Sequence, residues 1–115
     1  MQALFACKRI ELYEIMKCSF ALTKTEHSIL LFMVEENTNF SIKDIGQKLL
    51  LERSTIQKAI KSLTEKGLII KKQQNLAEGG YRFRYSPIKK SIIKEKMIKS
   101  VRQWHNSVES LINKW

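Results

Sequence analysis

Leu4, Phe5, Ile10, Leu12, Ile15 and Met16 are set among charged residues, and this pattern predicts an amphipathic N-terminal helix within residues 1–20. Thr23 and Glu26 come next, at the spacing of a reciprocal helix cap. The dense apolar positions Ile29, Leu30, Phe32, Met33 and Val34 then predict a second helix to about Glu36, ended by Asn37-Thr38-Asn39. Ser41 and Asp44 repeat the capping spacing ahead of Ile45, Leu49 and Leu50, enough for a third helix of two turns. Phe40 and Ile42, flanking Ser41, could pair as a very short strand, or Ser41 could simply cap the third helix. Leu51-Glu52-Arg53 reads as a turn and Ser54 as the next cap, with Ile56, Ile60 and Leu63 forming one stripe on a fourth helix. Gly67 stops that helix, and Lys66 places a cation where the helix dipole favours it.

After Gly67 the period changes. Leu68 to Gln73 is strand-like, Asn75 to Gly80 is rich in turn residues, and Tyr81 to Tyr85 alternates aromatic with arginine, which predicts a β-hairpin. Alternation sends Tyr81, Phe83 and Tyr85 to one side and Arg82 and Arg84 to the other, so the expected arrangement is aromatics inward and arginines outward. Pro87 breaks the strand and opens a last helix over residues 88–114, about 40 Å long. On it, Ile93, Met97, Val101, Trp104, Val108, Leu111 and Trp115 recur every three or four residues, close to a coiled-coil seam. Ile93 is the one most easily met by the helix's own domain, whereas Met97, Val101, Trp104, Val108, Leu111 and Trp115 are the candidate dimerisation positions. The order of elements is that of a winged helix-turn-helix. The expected class is α+β, mainly α: a single domain over residues 1–115, with a core at 24–86 and a long C-terminal dimerisation helix.

Burying Ile56, Ile60 and Leu63 would turn Arg53, Ser54, Thr55, Gln57, Lys58, Lys61 and Ser62 outward, and no acid occurs between Arg53 and Thr64. Gln and Arg can pair with base edges, Ser and Thr can reach bases or phosphates, and Lys neutralises phosphate. Lys71, Lys72, Arg82 and Arg84 add charge on the hairpin. Composition sharpens this picture. Of 21 basic and 11 acidic residues in 115, only four basic and five acidic lie before Ser41. The net charge of +10 therefore resides wholly in the last two thirds, as expected of a chain that meets a polyanion. A Lys-rich solvated surface is the plainer alternative, and an aromatic platform for single strands would need Tyr81 and Phe83 exposed.

Other chemistry finds little support. Cys7 and Cys18 are too few and too far apart for a zinc site, and on one helix they would lie roughly 16 Å apart, out of reach of each other. Two buried thiols are expected, with an intersubunit disulfide as the lesser alternative. His27 and His105 fall on predicted helices as surface or interface residues, and no phosphate-binding glycine loop or paired acids occur, so neither an enzyme, a metal nor a cofactor is expected. No long apolar run or leader pattern is present, so an intracellular protein is expected, in the cytoplasm and, if it meets DNA, with the nucleoid.

Lys24 to Pro87, and above all Ser54-Thr55-Ile56-Gln57-Lys58-Ala59-Ile60-Lys61-Ser62-Leu63-Thr64-Glu65-Lys66-Gly67-Leu68-Ile69, resembles the winged-helix core of MarR and TrmB-like regulators, most closely small archaeal Lrs-like ones. The resemblance implies a homodimer on pseudo-palindromic double-stranded DNA, with Ser54, Thr55, Gln57, Lys58 and Lys61 as recognition residues and Arg82 and Arg84 in the wing. The wing Asn75-Leu76-Ala77-Glu78-Gly79-Gly80 departs from the Asp-x-Arg pattern usual in MarR proteins, and one C-terminal helix replaces their usual two. An architectural DNA-coating protein and a winged-helix protein-interaction module are the alternative functions.

Overall fold

The central helices form because their starts and stops are written locally. The computed structural model describes residues 2–115. It contains β1 (Gln2–Phe5), β2 (Lys8–Glu11), α1 (Leu12–Phe20), α2 (Lys24–Glu36), α3 (Ile42–Leu49), α4 (Arg53–Glu65), β3 (Ile69–Asn75), β4 (Tyr81–Pro87) and α5 (Lys90–Asn113). Both predicted capping boxes are present: the Thr23 hydroxyl accepts from Glu26 N at 3.1 Å while Thr23 N donates to Glu26 Oε1 at 2.9 Å. Ser41 and Asp44 do the same for α3, both at 3.1 Å. α4 departs from expectation in starting two residues early. Its N-cap is Glu52, whose carbonyl accepts from Ile56 N, so Ser54 lies inside the first turn and does not cap. At the other end Gly67 takes φ 74°, with Leu68 N donating to Leu63 O and Gly67 N to Thr64 O. This is a Schellman closure, and its two leucines are both buried.

The core is made where α2, α3 and α4 converge. Ile29, Leu30, Met33, Ile45, Ile56, Ile60, Leu63 and Leu68 are essentially inaccessible there. β3 and β4 pair antiparallel from Ile69–Pro87 to Asn75–Tyr81. Phe40 joins this ribbon as a single bridge, exchanging two 2.8 Å backbone hydrogen bonds with Tyr85, while the adjacent Ser41 caps α3. Both readings of that segment therefore hold.

The N-terminal segment differs from the predicted helix. Residues 2–11 form a hairpin, with Ala3 opposite Ile10 and Phe5 opposite Lys8 around an Ala6-Cys7 turn, and α1 begins only at Leu12. The stripe that a helix would need breaks at Lys8 and Arg9, which stand three to five residues beyond Leu4 and Phe5. Cys7 and Cys18 are consequently not on one helix, and both thiols are exposed, not buried. His27 is also not a surface residue. It is buried beneath α1 with its ring edge-on to Tyr13 at 4.3 Å, and burial, with Lys17 nearby, holds its pKa down.

α5 packs Ile93 and Met97 into this core and then leaves it. Met97, expected on the intersubunit seam, instead closes the protein's own interior. Farther along, Trp104, Leu111, Ile112 and Trp115 are exposed. The molecule is accordingly elongated, 66 × 23 × 23 Å. Its radius of gyration of 17.4 Å compares with about 13 Å for a compact chain of this length. Its accessible surface of 8847 Å² exceeds that of a compact monomer of this mass by about 2,300 Å².

One ion pair ties the first and last turns of this core. Lys66 Nζ, at the C-terminus of α4, lies 3.3 Å from Glu26 Oε2 and donates to Ala21 O at 2.8 Å. Burial would push the Glu26 carboxyl up, but hydrogen bonds from Ser62, Thr23 and Lys66 overcome it and bring the pKa from 4.5 to about 2. A carboxylate lowered in this way stabilises the fold fully above its unfolded pKa and loses that contribution as pH falls from 4.5 towards 2. Glu26→Gln, which weakens charge-assisted hydrogen bonds, is expected to cost about 2 kcal/mol at neutral pH and to flatten the acid limb of stability. Denaturant titrations at neutral pH and between those two pKa values check this, and parallel acid limbs for wild type and variant would contradict it.

Candidate nucleic-acid interface

Burial of Ile56, Ala59, Ile60 and Leu63 determines which side of α4 faces out. Its outward residues divide into two flanks. Arg53, Gln57 and Lys61, four residues apart, line a cleft of about 670 Å³ shared with Lys43 at the start of α3 and with Lys71, Tyr81, Arg82 and Phe83 of the ribbon. Ser54, Thr55, Lys58 and Ser62 line a second concavity of about 540 Å³ on the other flank, against Thr23, Thr25 and Glu26. Every sequence-predicted α4 residue therefore borders one of two grooves on the same exposed helix, with Ser62 and Thr55 half-buried at its edge. Lys43 was missed by sequence reasoning. Its signal was position, the second residue after a capping serine, where a side chain at a helix start faces the same way as its neighbour helix.

The ribbon does not bury its aromatics as expected. Tyr85 is 9% exposed, but Phe83 is 36% and Tyr81 59% exposed. The strands outrun the helices beneath them, so only the end near the Phe40 bridge has a core to face. Tyr81 and Phe83 pack edge to face at 5.5 Å, and Lys71 Nζ sits 4.0 Å above the Phe83 ring, a cation–π contact at the cleft wall. Lys72 pairs opposite Arg84 on the other side of the ribbon and is exposed.

The two wing arginines have different surroundings. Arg82 is exposed, its Nε donating to Gln74 Oε1 of the neighbouring strand at 2.7 Å. Arg84 turns to the body and donates to Asn39 and Asp44. Hydrogen bonds from Ser41 N hold the Asp44 carboxyl below its ordinary pKa, outweighing partial burial, and the Ser41 hydroxyl and Arg84 add to this.

The unused charges are the informative ones. Among the described residues the ion pairs are Lys8–Glu14, Lys66–Glu26, Arg84–Asp44 and, if protonated, His105–Glu109. Lys43, Arg53, Lys58, Lys61, Lys71 and Lys72 have no acidic partner within that set. Among the described residues no cluster of His, Cys, Asp and Glu could hold a metal ion. Among the described residues no helix is long and apolar enough to cross a membrane.

Residues 22–75 match the family model described as MarR family. A possible transcriptional regulator from Methanosarcina mazei superposes with a TM-score of 0.90 at 28% identity, covering 100% of this chain and 97% of that one. This chain has the winged-helix fold of that structure, and its residues 22–75 are similar to the MarR family. The matched segment begins at Leu22, so the N-terminal hairpin and α1 lie outside it. An uncharacterised protein of Methanocaldococcus jannaschii is 29% identical over 98 residues, covering 85% of this chain and 74% of the relative. A ZitR variant of Lactococcus lactis, solved in complex with DNA, shares the fold with a TM-score of 0.50 at 22% identity, over 82% of this chain and 62% of that one.

If the α4 cations are free of structural duties, their loss leaves the fold intact. Lys58→Ala and Lys61→Ala are each expected to change stability by no more than about 0.5 kcal/mol. Thermal melts check this, and a large drop would show contacts that the unpaired geometry denies.

Proposed function

We propose that the protein is a homodimeric, sequence-specific regulator that binds double-stranded DNA through α4 and the β3–β4 wing. The observation that carries this is the concave face on which the unpaired cations Lys43, Arg53, Lys61 and Lys71 gather around Gln57, with Glu65 the one acid among the lining residues. A folded protein seldom holds that many like charges together without using them, and phosphate is the partner that such a groove fits. In this reading Gln57, Ser54 and Thr55 meet base edges in the major groove. Arg53, Lys58, Lys61, Ser62, Lys71, Lys72 and Arg82 position the helix and wing on the backbone. That ZitR, a protein of the same fold, has been solved on DNA agrees with this use of the face. Work on DNA would place the protein in the cytoplasm, with the nucleoid.

The dimer is supported by the surplus of surface. An excess of about 2,300 Å² per chain is of the size each subunit contributes to an obligate interface. It is concentrated where Val101, Trp104, Leu111 and Trp115 are exposed and Val108 is half-buried on α5. Two copies joined along this seam would present two α4 helices to half-sites about 34 Å apart.

Selection of bound duplexes from a random pool is expected to return pseudo-palindromes with half-sites one turn apart, and a pool without preference would indicate a coating protein instead. On the selected duplex, Gln57→Ala is expected to lose about 1–3 kcal/mol, with little change on random sequence. Affinity should fall by about 0.9 log unit per phosphate contact for each tenfold rise in salt. A flat response would remove duplex DNA as the partner. Val108→Asp combined with Leu111→Asp should sediment as a monomer, and a surviving dimer would place the interface elsewhere.

A further inference from the structure

We propose that Arg84 is a positioning residue: it holds the wing at a fixed angle to the helix-turn-helix by gripping Asn39 and Asp44, and it does not contact phosphate. This rests on the reading of α4 and the wing as a duplex-binding face. Arg84 lies near the middle of β4, and its guanidinium leaves the ribbon for the body. Nε donates to Asn39 Oδ1 at 2.8 Å, Nη2 to the Asn39 carbonyl at 3.1 Å and Nη1 to Asp44 Oδ2 at 3.1 Å. Three of its five donors are thereby engaged, and the side chain is only 23% exposed. The Asp44 oxygen that receives Arg84 also accepts from Ser41 N at 3.1 Å, so one carboxylate joins the wing to the start of α3. Asn39 belongs to the connection between α2 and α3, immediately before the Phe40 bridge.

The wing needs such a grip because nothing buries it farther out. From Ile70 to Phe83 every residue of the ribbon and its loop is exposed, and an isolated two-stranded hairpin is marginally stable in water. The Phe40–Tyr85 hydrogen bonds and the buried Ile69 and Tyr85 anchor its base and leave the ribbon beyond Ile70 without support from the core. Arg84 supplies a second attachment one residue farther towards the tip, on the opposite face of the strand. From there to Gly80 is about 13 Å at 3.3 Å per residue, so a pivot of about 10° would displace the tip by about 2 Å, enough to weaken a hydrogen bond to backbone phosphate while leaving the wing's charges beside it. A planar fork suits this task and an ammonium does not, since only the fork reaches Asn39 and Asp44 together.

Charge and position predict opposite results for three variants, measured in the full-length protein on a short random-sequence duplex. Arg84→Gln is expected to weaken binding at least fivefold with the salt slope unchanged, whereas Arg82→Ala lowers the slope by about 0.9, one contact. Arg84→Lys, which keeps the charge, should behave like Arg84→Gln. Asp44→Asn keeps an acceptor for Ser41 but removes a negative charge, which by charge alone would tighten binding, and is expected to weaken it. Hydrogen exchange on the free protein should show faster exchange across residues 69–87 in Arg84→Gln and Asp44→Asn, with α2 and α4 unaltered. The proposal is overturned by wild-type binding in Arg84→Lys, by a slope reduced by one contact in Arg84→Gln, by tighter binding in Asp44→Asn, or by unchanged exchange in the wing. Failure of the wild type to bind any duplex would refute the DNA reading instead, and the exchange measurement would still decide the grip.

Discussion

Burial of one stripe on α4, formed by Ile56, Ile60 and Leu63 against Ile29, Leu30, Met33 and Ile45, is the constraint on which the other features depend. A helix that buries one side has no choice about the other, and here the other side carries three cations and Gln57 with no acid until Glu65. The same stripe sets the direction of the chain beyond it. Gly67 and Leu68 close α4 by reversing the backbone, so that β3 runs back along the helix and brings Lys71 and the Tyr81–Phe83 pair to the level of Arg53 and Gln57. The cleft is therefore a consequence of the core and its Schellman turn, and needs no contact of its own to exist.

The wing shows the opposite economy. Beyond Ile69 and Tyr85 it buries little of its apolar surface, and its outer part is held by polar attachments: the Phe40–Tyr85 bridge, the Arg84 fork and the pairing of its own strands. Because hydrogen bonds contribute modestly and locally in water, an element built in this way can stay aligned while remaining exposed. Exposure is what contact with a groove requires.

The helices from Thr23 to Gly67 were legible because each signal lies within a turn of its effect: two capping pairs, a 4-3 stripe and a glycine at positive φ. The hairpin at residues 2–11 was not, since a six-residue apolar set spread over thirteen positions satisfies neither period cleanly and the strand pairing is settled by a two-residue turn with no glycine or asparagine to announce it. In the wing, alternation correctly separated aromatics from arginines but could not say how far the core extends under them, which left Tyr81 and Phe83 misplaced. Arg84 was legible as a charge and illegible as a contact, because Asn39 and Asp44 lie forty or more residues away in sequence. The same distance hid Met97, whose seam spacing holds although its side chain is needed inside.

α5 joins the fold to its use. Its first two turns complete the domain, its remainder exposes Trp104, Leu111 and Trp115, and in the proposed dimer the spacing of the two DNA-reading faces would be a property of that seam. A hydroxyl-radical footprint of the wild-type protein on its selected duplex tests this directly. The account predicts two protected patches related by a two-fold axis, one helical turn apart, each with flanking protection where a wing lies. Uniform protection along the duplex, or a single unpaired patch, would contradict it.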